Sequence, residues 1–599
     1  MKRTLLITLS ALLCLCFACP ACGGEKTGDE RVVLTIGDQR DRSGNRYNEN
    51  LGMWQYLAEK LGVEIRYVYL SPEEYDAGMA SGDLPDIVTT HNNLSTILEH
   101  GVAFNAAPYL EEYCPNFLKN EVGMSYEVNR QLSNGEDSFY FFPAKIGYNG
   151  TGFSKSATNY GYVVRWDYYK ELGYPPVNSE EDYLNVLLQM HENHPFTEEG
   201  YPTYLYGTDR FNGYDVPIRA ELSVNYWTSY FYQNSIFTNE VFDGYTDPDH
   251  SRWWMTIRWE NKLYRAGKAS GAYDMDLFTQ SLSQFEAKCT RGQYLGLHTV
   301  KTWLYDEKVK QDPDTLAGYA VIPTAATNYR SRVYQMLGSG NNYRWFISEN
   351  SPHKEEALRL FNYMCDPDFL REFFLGRRGE TWDYDESGVP RMTAYGQEQL
   401  DAYKSGKASP DNYYVRWGGF SELPNNWPVL RNNAVHPDGY PLDFATISRE
   451  YEKATMTNNI SRDICRQYGV ELPSDAYYQA GALDYRNDCG EAISTSISSL
   501  NRDQLYILDS AEALMTDVLV DLVLAETDEE WNAIRDETIR KLNELGEPEV
   551  FLAYREKWNA AAAVIVPLVR QVQIENGLEP YAPEDYADRF AAEKEEQLP

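Results

Sequence analysis

The feature that most constrains the fold of this chain is an alternation of short apolar runs with helical patterns near its start. The apolar runs are typical of buried strands and lie at residues 32–37, 63–68 and 87–90. Between them, residues 51–61 and 71–81 have helical apolar spacing, and Ser71 is a suitable N-cap for the second helix. Strands that alternate with helices form mainly parallel sheets covered by helices, so this pattern predicts an α/β fold.

The loops after these strands contain the first candidate ligand-binding residues. In parallel sheets, ligands bind beyond the carboxyl ends of the strands. Two of those ends lead into the polar loops 38–48 and 91–93. The candidates in these loops are Asp38, Arg40, His91 and Asn92. For the histidine, a capping or turn residue is the alternative.

Residues 1–24 have the layout of a secretory signal. Lys2 and Arg3 precede the apolar run 5–18, which is shorter than the roughly 20 residues that a membrane-spanning helix needs. Small residues and cysteines follow. We therefore expect the chain to be exported and residues 1–21 to be removed.

The end of this signal resembles a bacterial lipoprotein processing site. Cys22, in the segment ACGG, is the candidate for lipidation, and Cys19 is the competing acceptor. We expect the lipid to hold the protein at the outer face of the cell membrane, on the periplasmic side if the cell has two membranes, with residues 22–31 as a tether. An ordinary cleaved signal with incidental cysteines is the alternative.

The chain is strongly acidic and has few residues suited to metal binding. Its 54 Lys and Arg against 90 Asp and Glu give a formal charge of −36, which argues against nucleic acid as a partner. Beyond Cys22 the cysteines are scattered without metal-ligand spacing, so we assign no metal ligands and expect no cofactor, and a structural calcium stays open as an alternative. Cys465 and Cys489 are the pair that could form a disulfide in an oxidising compartment.

Aromatic residues make up 14% of the chain, with 48 Tyr and 13 Trp. Tyr and Trp combine a flat apolar face with a polar tip, and the C–H faces of sugar rings stack well on such surfaces. An aromatic-rich core is the alternative explanation. The composition is therefore compatible with a carbohydrate ligand but does not require one.

Several segments resemble the extracellular solute-binding proteins of carbohydrate ABC importers. Residues 80–88 (ASGDLPDIV) are similar to a characteristic segment of that family. Further similar segments follow in the family's order at residues 109–116, 163–173, 350–371 and 379–388. The resemblance covers about residues 1–400, and its order and spacing make it more specific than any one segment.

The resemblance implies a periplasmic-binding-protein-like fold, in which two α/β lobes are joined by hinge crossovers, here with a helical C-terminal extension. The expected lobes are 32–160 with 341–405, and 161–340 with 406–599. A monomer of this family captures an oligosaccharide between its lobes and delivers it to the transmembrane subunits of an ABC permease. We expect Arg165 and Asp167, which are typical of the family, to stabilise the hinge.

Aromatic and polar side chains on expected loops complete the candidate binding site. Trp303 follows the strand-like segment 293–300, where the family tends to have a binding aromatic residue, and Tyr206 and Asp209 lie in the expected loop 204–214. The remaining candidates are Trp227, Trp382, Trp417 and Arg377. For each tryptophan, packing in the core or at the hinge is the alternative.

The sequence gives little support to catalysis, and we expect a binding protein rather than an enzyme. Residues 383–388 (DYDESG) resemble the start of an EF-hand, but Ala394 stands where the closing Glu belongs, so a β-turn is the better explanation. Two other functions stay open. One is a surface-anchored glycoside hydrolase, since paired carboxylates are recognised only in space. The other is the same fold with a peptide or another small solute as ligand.

Overall fold

The fold is described by a computed structural model. It describes residues 31–38, 49–90, 94–120, 126, 129–130, 133, 137–144, 146, 161–208, 224–225, 231–235, 240–324, 344–419, 430, 432, 434–480, 493–494, 497 and 500–575.

The strands of the described residues fall into separate sheets, which supports a division into lobes. In chain order they are β1 (Val32–Asp38), β2 (Val63–Tyr69), β3 (Ile87–Thr90), β4 (Phe142–Pro143), β5 (Val163–Arg165), β6 (Tyr204–Gly207), β7 (Val224–Asn225), β8 (Tyr232–Ser235), β9 (Val241–Asp243), β10 (Tyr294–Leu297), β11 (Tyr319–Val321), β12 (Arg344–Ile347), β13 (Trp382–Tyr384) and β14 (Pro390–Met392).

The first sheet has five strands in the order β2-β1-β3-β12-β4. Strand β1 runs parallel to both β2 and β3, whereas β12 runs antiparallel to β3 and β4. The three predicted strands and both predicted helices are confirmed. The second helix has the expected Ser71 cap, whose hydroxyl accepts a hydrogen bond from Glu74 N at 3.2 Å.

The second sheet has four strands in the order β11-β5-β10-β6. Strand β10 is parallel to β6 and antiparallel to β5, and β5 is antiparallel to β11. A three-stranded sheet, β7-β8-β9, and the hairpin β13-β14 stand apart from the two main sheets.

Two sets of buried side chains define the lobes. The set around the first sheet, the first lobe, runs from Leu34 to Ile146 and again from Trp345 to Leu442. The set around the second sheet, the second lobe, runs from Tyr162 to Ile322 and again from Ile460 to Ile565. The chain therefore passes between the lobes near residues 146–162, 322–345 and 442–460.

Helices cover both sheets. Those of the first lobe are Gly52–Leu61, Pro72–Ser81, Leu94–His100, Leu110–Tyr113, Pro115–Asn120, Lys354–Tyr363, Pro367–Leu375, Ala394–Lys404 and Tyr413–Trp417. Those of the second lobe are Trp166–Glu171, Glu180–Asn193, Arg252–Gly267, Leu282–Thr290, Trp303–Lys308, Asn459–Tyr468, Pro473–Gln479, Arg502–Leu524, Asp528–Leu545 and Glu547–Glu575. Helix Arg449–Thr455 lies along the last passage between them.

The expected division between the lobes at residue 405 is wrong. Helix Tyr413–Trp417 packs on the first lobe, where the Tyr414 hydroxyl donates to Leu375 O at 3.0 Å and Trp417 Nε1 donates to Phe373 O at 3.0 Å. Leu442 is still part of the first-lobe core. Aromatic side chains bind this segment to a helix that precedes it, so the last passage between the lobes comes after Leu442 rather than after residue 405.

The C-terminal helices belong to the core of the second lobe. Asn261 Nδ2 donates to Val523 O at 2.9 Å and to Ala525 O at 2.8 Å, so it binds the end of helix Arg502–Leu524. Trp531 packs edge-on against Trp254 with ring centroids 6.0 Å apart. The helical extension is therefore integral to this lobe rather than an independent appendage.

A protonated carboxyl group lies where the last helix joins the second lobe. Glu547 is fully buried, and its Oε1 accepts a hydrogen bond from the Tyr232 hydroxyl at 2.8 Å. Burial, and then the charge of the neighbouring Asp243, raise the pKa of Glu547 to about 9. Glu547 therefore keeps its proton at neutral pH in the folded protein.

This buried acid makes stability depend on pH. An unfolded Glu ionises near 4.5, so between about 4.5 and about 9 the folded state holds one proton more than the unfolded state, and stability falls as the pH rises. The expected loss is about 1.4 kcal/mol per pH unit. Glu547→Gln removes this loss, so the variant melts above the parent at pH 8 by a margin that shrinks toward pH 5.

The measurement is thermal unfolding of parent and variant at pH 5, 6.5 and 8. Glu556→Gln is the matched control, because Glu556 is exposed on the same helix and is not among the groups that raise the pKa of Glu547. It should follow the parent's pH dependence. If the melting temperatures of the parent and of Glu547→Gln depend on pH in the same way, Glu547 is not protonated in the folded protein.

Candidate functional site

The expected ligand edge of the first sheet carries buried polar side chains. Parallel strands β1 and β3 end at Asp38 and Thr90, and antiparallel β12 begins beside them with Arg344, which is in register with Thr90. All three side chains are buried. Asp38 therefore lies at the predicted edge, whereas the candidates Arg40, His91 and Asn92 lie outside the described residues.

The second sheet has a corresponding edge. Parallel strands β6 and β10 end at Gly207 and Leu297, and the next residues are Thr208 and His298. The backbone N–H of His298 donates to Gly207 O at 3.3 Å, so the two strand ends are held side by side. Antiparallel strand β5 begins at the same edge. Each lobe thus presents a polar strand-end edge of the kind at which α/β proteins bind ligands.

Tyr206 does not lie in a loop as expected. It lies in strand β6, is 3% exposed and packs edge-on against Trp259, with ring centroids 6.0 Å apart. The alternation of aromatic residues in this segment is that of a core strand. The Tyr206 side chain contacts the core of the second lobe. The candidates Asp209 and Trp227 lie outside the described residues.

Trp303 has the surroundings expected of a stacking platform. It follows β10, as the sequence predicts, and is the first residue of helix Trp303–Lys308. Its ring is partly exposed and packs edge-on against Phe285 at 6.4 Å. Lys301 Nζ lies 5.4 Å from the Trp303 ring centroid, so a hydrogen-bond donor stands beside the aromatic surface. Among the described aromatic candidates, Trp303 alone is not fully buried.

Trp382 is packed within the first lobe, as its core-packing alternative expects. It lies in the hairpin β13-β14, is 3% exposed, and its Nε1 donates to Gly376 O at 2.8 Å. Its ring packs edge-on against Tyr384 at 5.7 Å and Phe444 at 5.9 Å. The Trp382 ring is therefore packed against other side chains of the first lobe and exposes little surface for stacking on a ligand.

Trp417 and Arg377 come together at a pocket of about 550 Å³ on the first lobe, which we call the first-lobe pocket. Trp417 is 6% exposed and stacks on Tyr413 with centroids 5.5 Å apart and planes 21° apart. Arg377 is exposed and pairs with Glu59 at 2.7 Å. These two candidates are far apart in sequence, and the structure brings them to one concave site.

The described contacts of Arg165 and Asp167, which we expect to stabilise the hinge, lie within the second lobe. Arg165 Nε donates to Asp167 Oδ1 at 2.9 Å, and its Nη1 donates to Gly292 O at 2.9 Å. Arg165 ends strand β5, which runs antiparallel to β10, so the pair lies at the edge of the second sheet opposite its ligand edge. It fixes strand β5 to the turn before β10 within one lobe.

The EF-hand-like segment forms a hairpin turn, which confirms the β-turn expectation. Asp385 Oδ1 accepts hydrogen bonds from Ser387 N at 2.9 Å and Val389 N at 3.0 Å, and its other oxygen pairs with Arg391 at 2.6 Å. Within the described ranges, no group of three His, Cys, Asp or Glu side chains is arranged to hold a metal ion. None of the helices in these ranges is long and apolar enough to cross a bilayer.

Sequence reasoning missed the polar residues that immediately follow β10 and several that line the first-lobe pocket. His298 and Thr299 were included in the strand-like segment 293–300, but the strand ends at Leu297. The only signal for them was the rule that parallel strands end at the ligand edge. Arg416 and Gln55 carried no signal, because they meet only through the packing of helices distant in sequence.

Solved structures with this fold are known. The chain is similar to the alginate-binding protein AlgQ2 (16% identity over 89% of this chain and 99% of that one, TM-score 0.51). It is also similar to an HMO-binding, ABC-transporter-associated solute-binding protein from Bifidobacterium longum infantis (13% identity, 88% and 99% covered, TM-score 0.52). A third is an EF-hand mutant of the ABC-transporter substrate-binding protein FusA of S. pneumoniae, solved with fructo-nystose (12% identity, 89% and 99% covered, TM-score 0.54).

No protein-family model matches the sequence, and no curated protein is similar to it in sequence. The likeness to solved structures therefore concerns the fold. It confirms the expected fold class, the two-lobed α/β architecture of extracellular solute-binding proteins, along nearly nine-tenths of the chain.

The different surroundings of two candidate tryptophans predict different costs of removing them. Trp382→Ala empties a buried site and should lower the free energy of unfolding by about 3–5 kcal/mol. Trp303→Ala should lower it by about 1 kcal/mol, since the ring is partly exposed. Urea unfolding followed by circular dichroism measures both, and equal losses would show that Trp303 is a core residue rather than a surface platform.

Proposed function

We propose that this chain is the substrate-binding component of an ABC importer and captures an oligosaccharide between its two lobes. The observation that carries the proposal is the pair of strand-end edges, one in each lobe, on lobes that the chain connects in three places. The similar solved proteins, an alginate-binding protein, an HMO-binding protein and one solved with fructo-nystose, support a carbohydrate ligand.

The proposed mechanism is hinge closure. A sugar that contacts both edges interacts more strongly with the closed form than with the open one, so it shifts the population toward closure. On the second lobe, Trp303 offers a stacking surface worth on the order of 1 kcal/mol, with Lys301 as a donor beside it. On the first lobe, Asp38 and Arg344 begin the opposing edge. Several such contacts together are needed for micromolar affinity, which corresponds to about 8 kcal/mol.

The proposed cellular setting follows from the N-terminal sequence. We expect Cys22 to carry a lipid that holds the protein on the outer face of the cell membrane, where the closed, loaded monomer meets the transmembrane subunits of its permease. The acidic chain, with a formal charge of −36, is repelled by anionic lipid headgroups. Attachment to the membrane therefore depends on the lipid expected on Cys22. Transport energy would come from a separate ATPase chain.

A panel of oligosaccharides titrated by calorimetry, with tryptophan fluorescence in parallel, tests the proposal. We expect stoichiometric binding of at least one oligosaccharide with a micromolar or lower Kd, and no product after prolonged incubation. Heat and fluorescence that stay unchanged for every saccharide would overturn it, whereas steady release of shorter sugars would establish a glycoside hydrolase instead.

Removal of the stacking surface gives a second test with the oligosaccharide that binds. Trp303→Ala should weaken binding about 5- to 10-fold, because one aromatic contact of roughly 1 kcal/mol is lost. Tyr506→Ala is the matched control, since Tyr506 is 71% exposed on a C-terminal helix, and it should bind like the parent. An unchanged Kd for Trp303→Ala would remove Trp303 from the binding site.

A further inference from the structure

One exposed aromatic side chain, that of Tyr69, lies at the ligand edge of the first lobe. Tyr69 is the last residue of strand β2, which runs parallel to β1, and it is in register with Asp38 at the end of β1. Its side chain is 51% exposed. The other exposed aromatic residues of the described ranges lie in helices, turns or loops, so Tyr69 alone among them ends a parallel strand. It therefore lies where α/β proteins bind ligands.

The row of side chains to which Tyr69 belongs leads out of the core. Successive residues of a strand point to opposite faces, so Tyr69 shares its face of β2 with every second residue before it. Of these, Val63 and Ile65 are buried, and Tyr67 packs edge-on against Trp54 with ring centroids 5.4 Å apart. The Tyr69 hydroxyl forms no hydrogen bond, and its ring no aromatic contact, with another described residue. About half of the Tyr69 surface is therefore free to contact a ligand.

The backbone that follows Tyr69 is fixed, which makes the ring a preformed surface. The N–H of Leu70 donates to Asp38 O at 2.9 Å, and the Leu70 side chain is buried. Ser71 then begins the next helix with a capping box, in which the Glu74 carboxylate accepts a hydrogen bond from Ser71 N at 2.9 Å. A ligand that stacks on Tyr69 does not have to order the chain around it, which keeps the entropic cost of binding low.

Tyr69 lies at the outer end of a row of strand ends. Because the sheet has the order β2-β1-β3-β12-β4, with β2 at its edge, this row runs in the order Tyr69, Asp38, Thr90 and Arg344. Neighbouring strands are about 4.8 Å apart, so the row spans about 14 Å, which is longer than one sugar ring. Its other three members are buried, and Tyr69 is the exposed one. A saccharide that lies along this edge meets Tyr69 only if it extends beyond Asp38.

We propose that Tyr69 forms an outer subsite, at which the terminal unit of an oligosaccharide stacks on the tyrosine ring, and that it thereby selects longer oligosaccharides over shorter ones. This inference rests on the proposed function and adds a dependence on chain length to it. The C–H face of a sugar ring is apolar and fits an aromatic surface, whereas the sugar's hydroxyl groups need the polar partners that the rest of the row supplies. A saccharide too short to reach β2 lacks the aromatic contact and keeps the polar ones.

The test is calorimetric titration with a homologous series of the oligosaccharide that binds the parent, lengthened one unit at a time from the monosaccharide. In the parent, we expect the Kd to fall by about 5- to 10-fold at the chain length at which the added unit reaches Tyr69. Tyr69→Ala should abolish this step and leave the Kd of the shorter members unchanged. Tyr69→Leu should do the same, because it keeps apolar bulk without a flat ring, whereas Tyr69→Phe should keep the step.

Tyr109→Ala is the matched control and should keep the parent's step. Tyr109 is 43% exposed on the same lobe, but its ring centroid lies 5.3 Å from that of Phe104, whose N–H donates to Ile347 O at the opposite edge of the sheet. Because Tyr69 is half exposed, its variants should melt close to the parent.

Three results would overturn the outer subsite and leave the proposed function standing: a parent without such a step, a step that survives in Tyr69→Ala, or equal weakening by Tyr69→Ala at every chain length. Failure of every saccharide to bind the parent overturns the proposed function itself.

Discussion

The first lobe depends on one buried carboxylate, that of Asp86. Its oxygens accept hydrogen bonds from the backbone N–H and hydroxyl of Thr35, at 2.8 and 2.7 Å, and from the Ser351 hydroxyl at 2.6 Å. Burial by itself would raise the pKa of Asp86, but these hydrogen bonds outweigh it and lower the pKa. One charged group thus joins β1, the start of β3 and the chain that returns from the second lobe. It therefore fixes the start of β3 against the middle of β1 and against the segment that follows β12, in the sheet whose opposite edge carries Asp38, Thr90 and Arg344.

Most of the aromatic excess stabilises the two cores rather than a binding surface. The fully buried side chains include Trp54 in the first lobe and Trp166, Trp253, Trp254 and Trp259 in the second. Trp166 Nε1, for example, donates to Asp463 at 3.0 Å and so joins the body of the second lobe to the segment after the last passage. A carbohydrate-binding role therefore depends on a few placed rings, Trp303 above all, and not on the overall content of Tyr and Trp.

The sequence predicted the parts of the fold that local patterns determine. The strands and helices of residues 32–90 lie within a residue or two of the expected ones, because periodicity, the Ser71 cap and the glycine stops act over a few residues. The predicted loop position of Tyr206 and the predicted lobe of residues 406–442 differ from the structure, because burial of a side chain and packing of a helix depend on partners remote in sequence. For the same reason the sequence could nominate Arg377 and Trp417 separately but could not reveal that they share a pocket with Arg416.

Three separate connections between the lobes also limit how they can move. A single connection would let one lobe turn about any axis, whereas a chain that crosses between the lobes three times restricts twisting and sliding more than it restricts bending. Each round of capture would then end in the same relative orientation of the two lobes. Under the proposed function, that one orientation is the signal by which a permease would recognise a loaded molecule, whatever sugar had produced it.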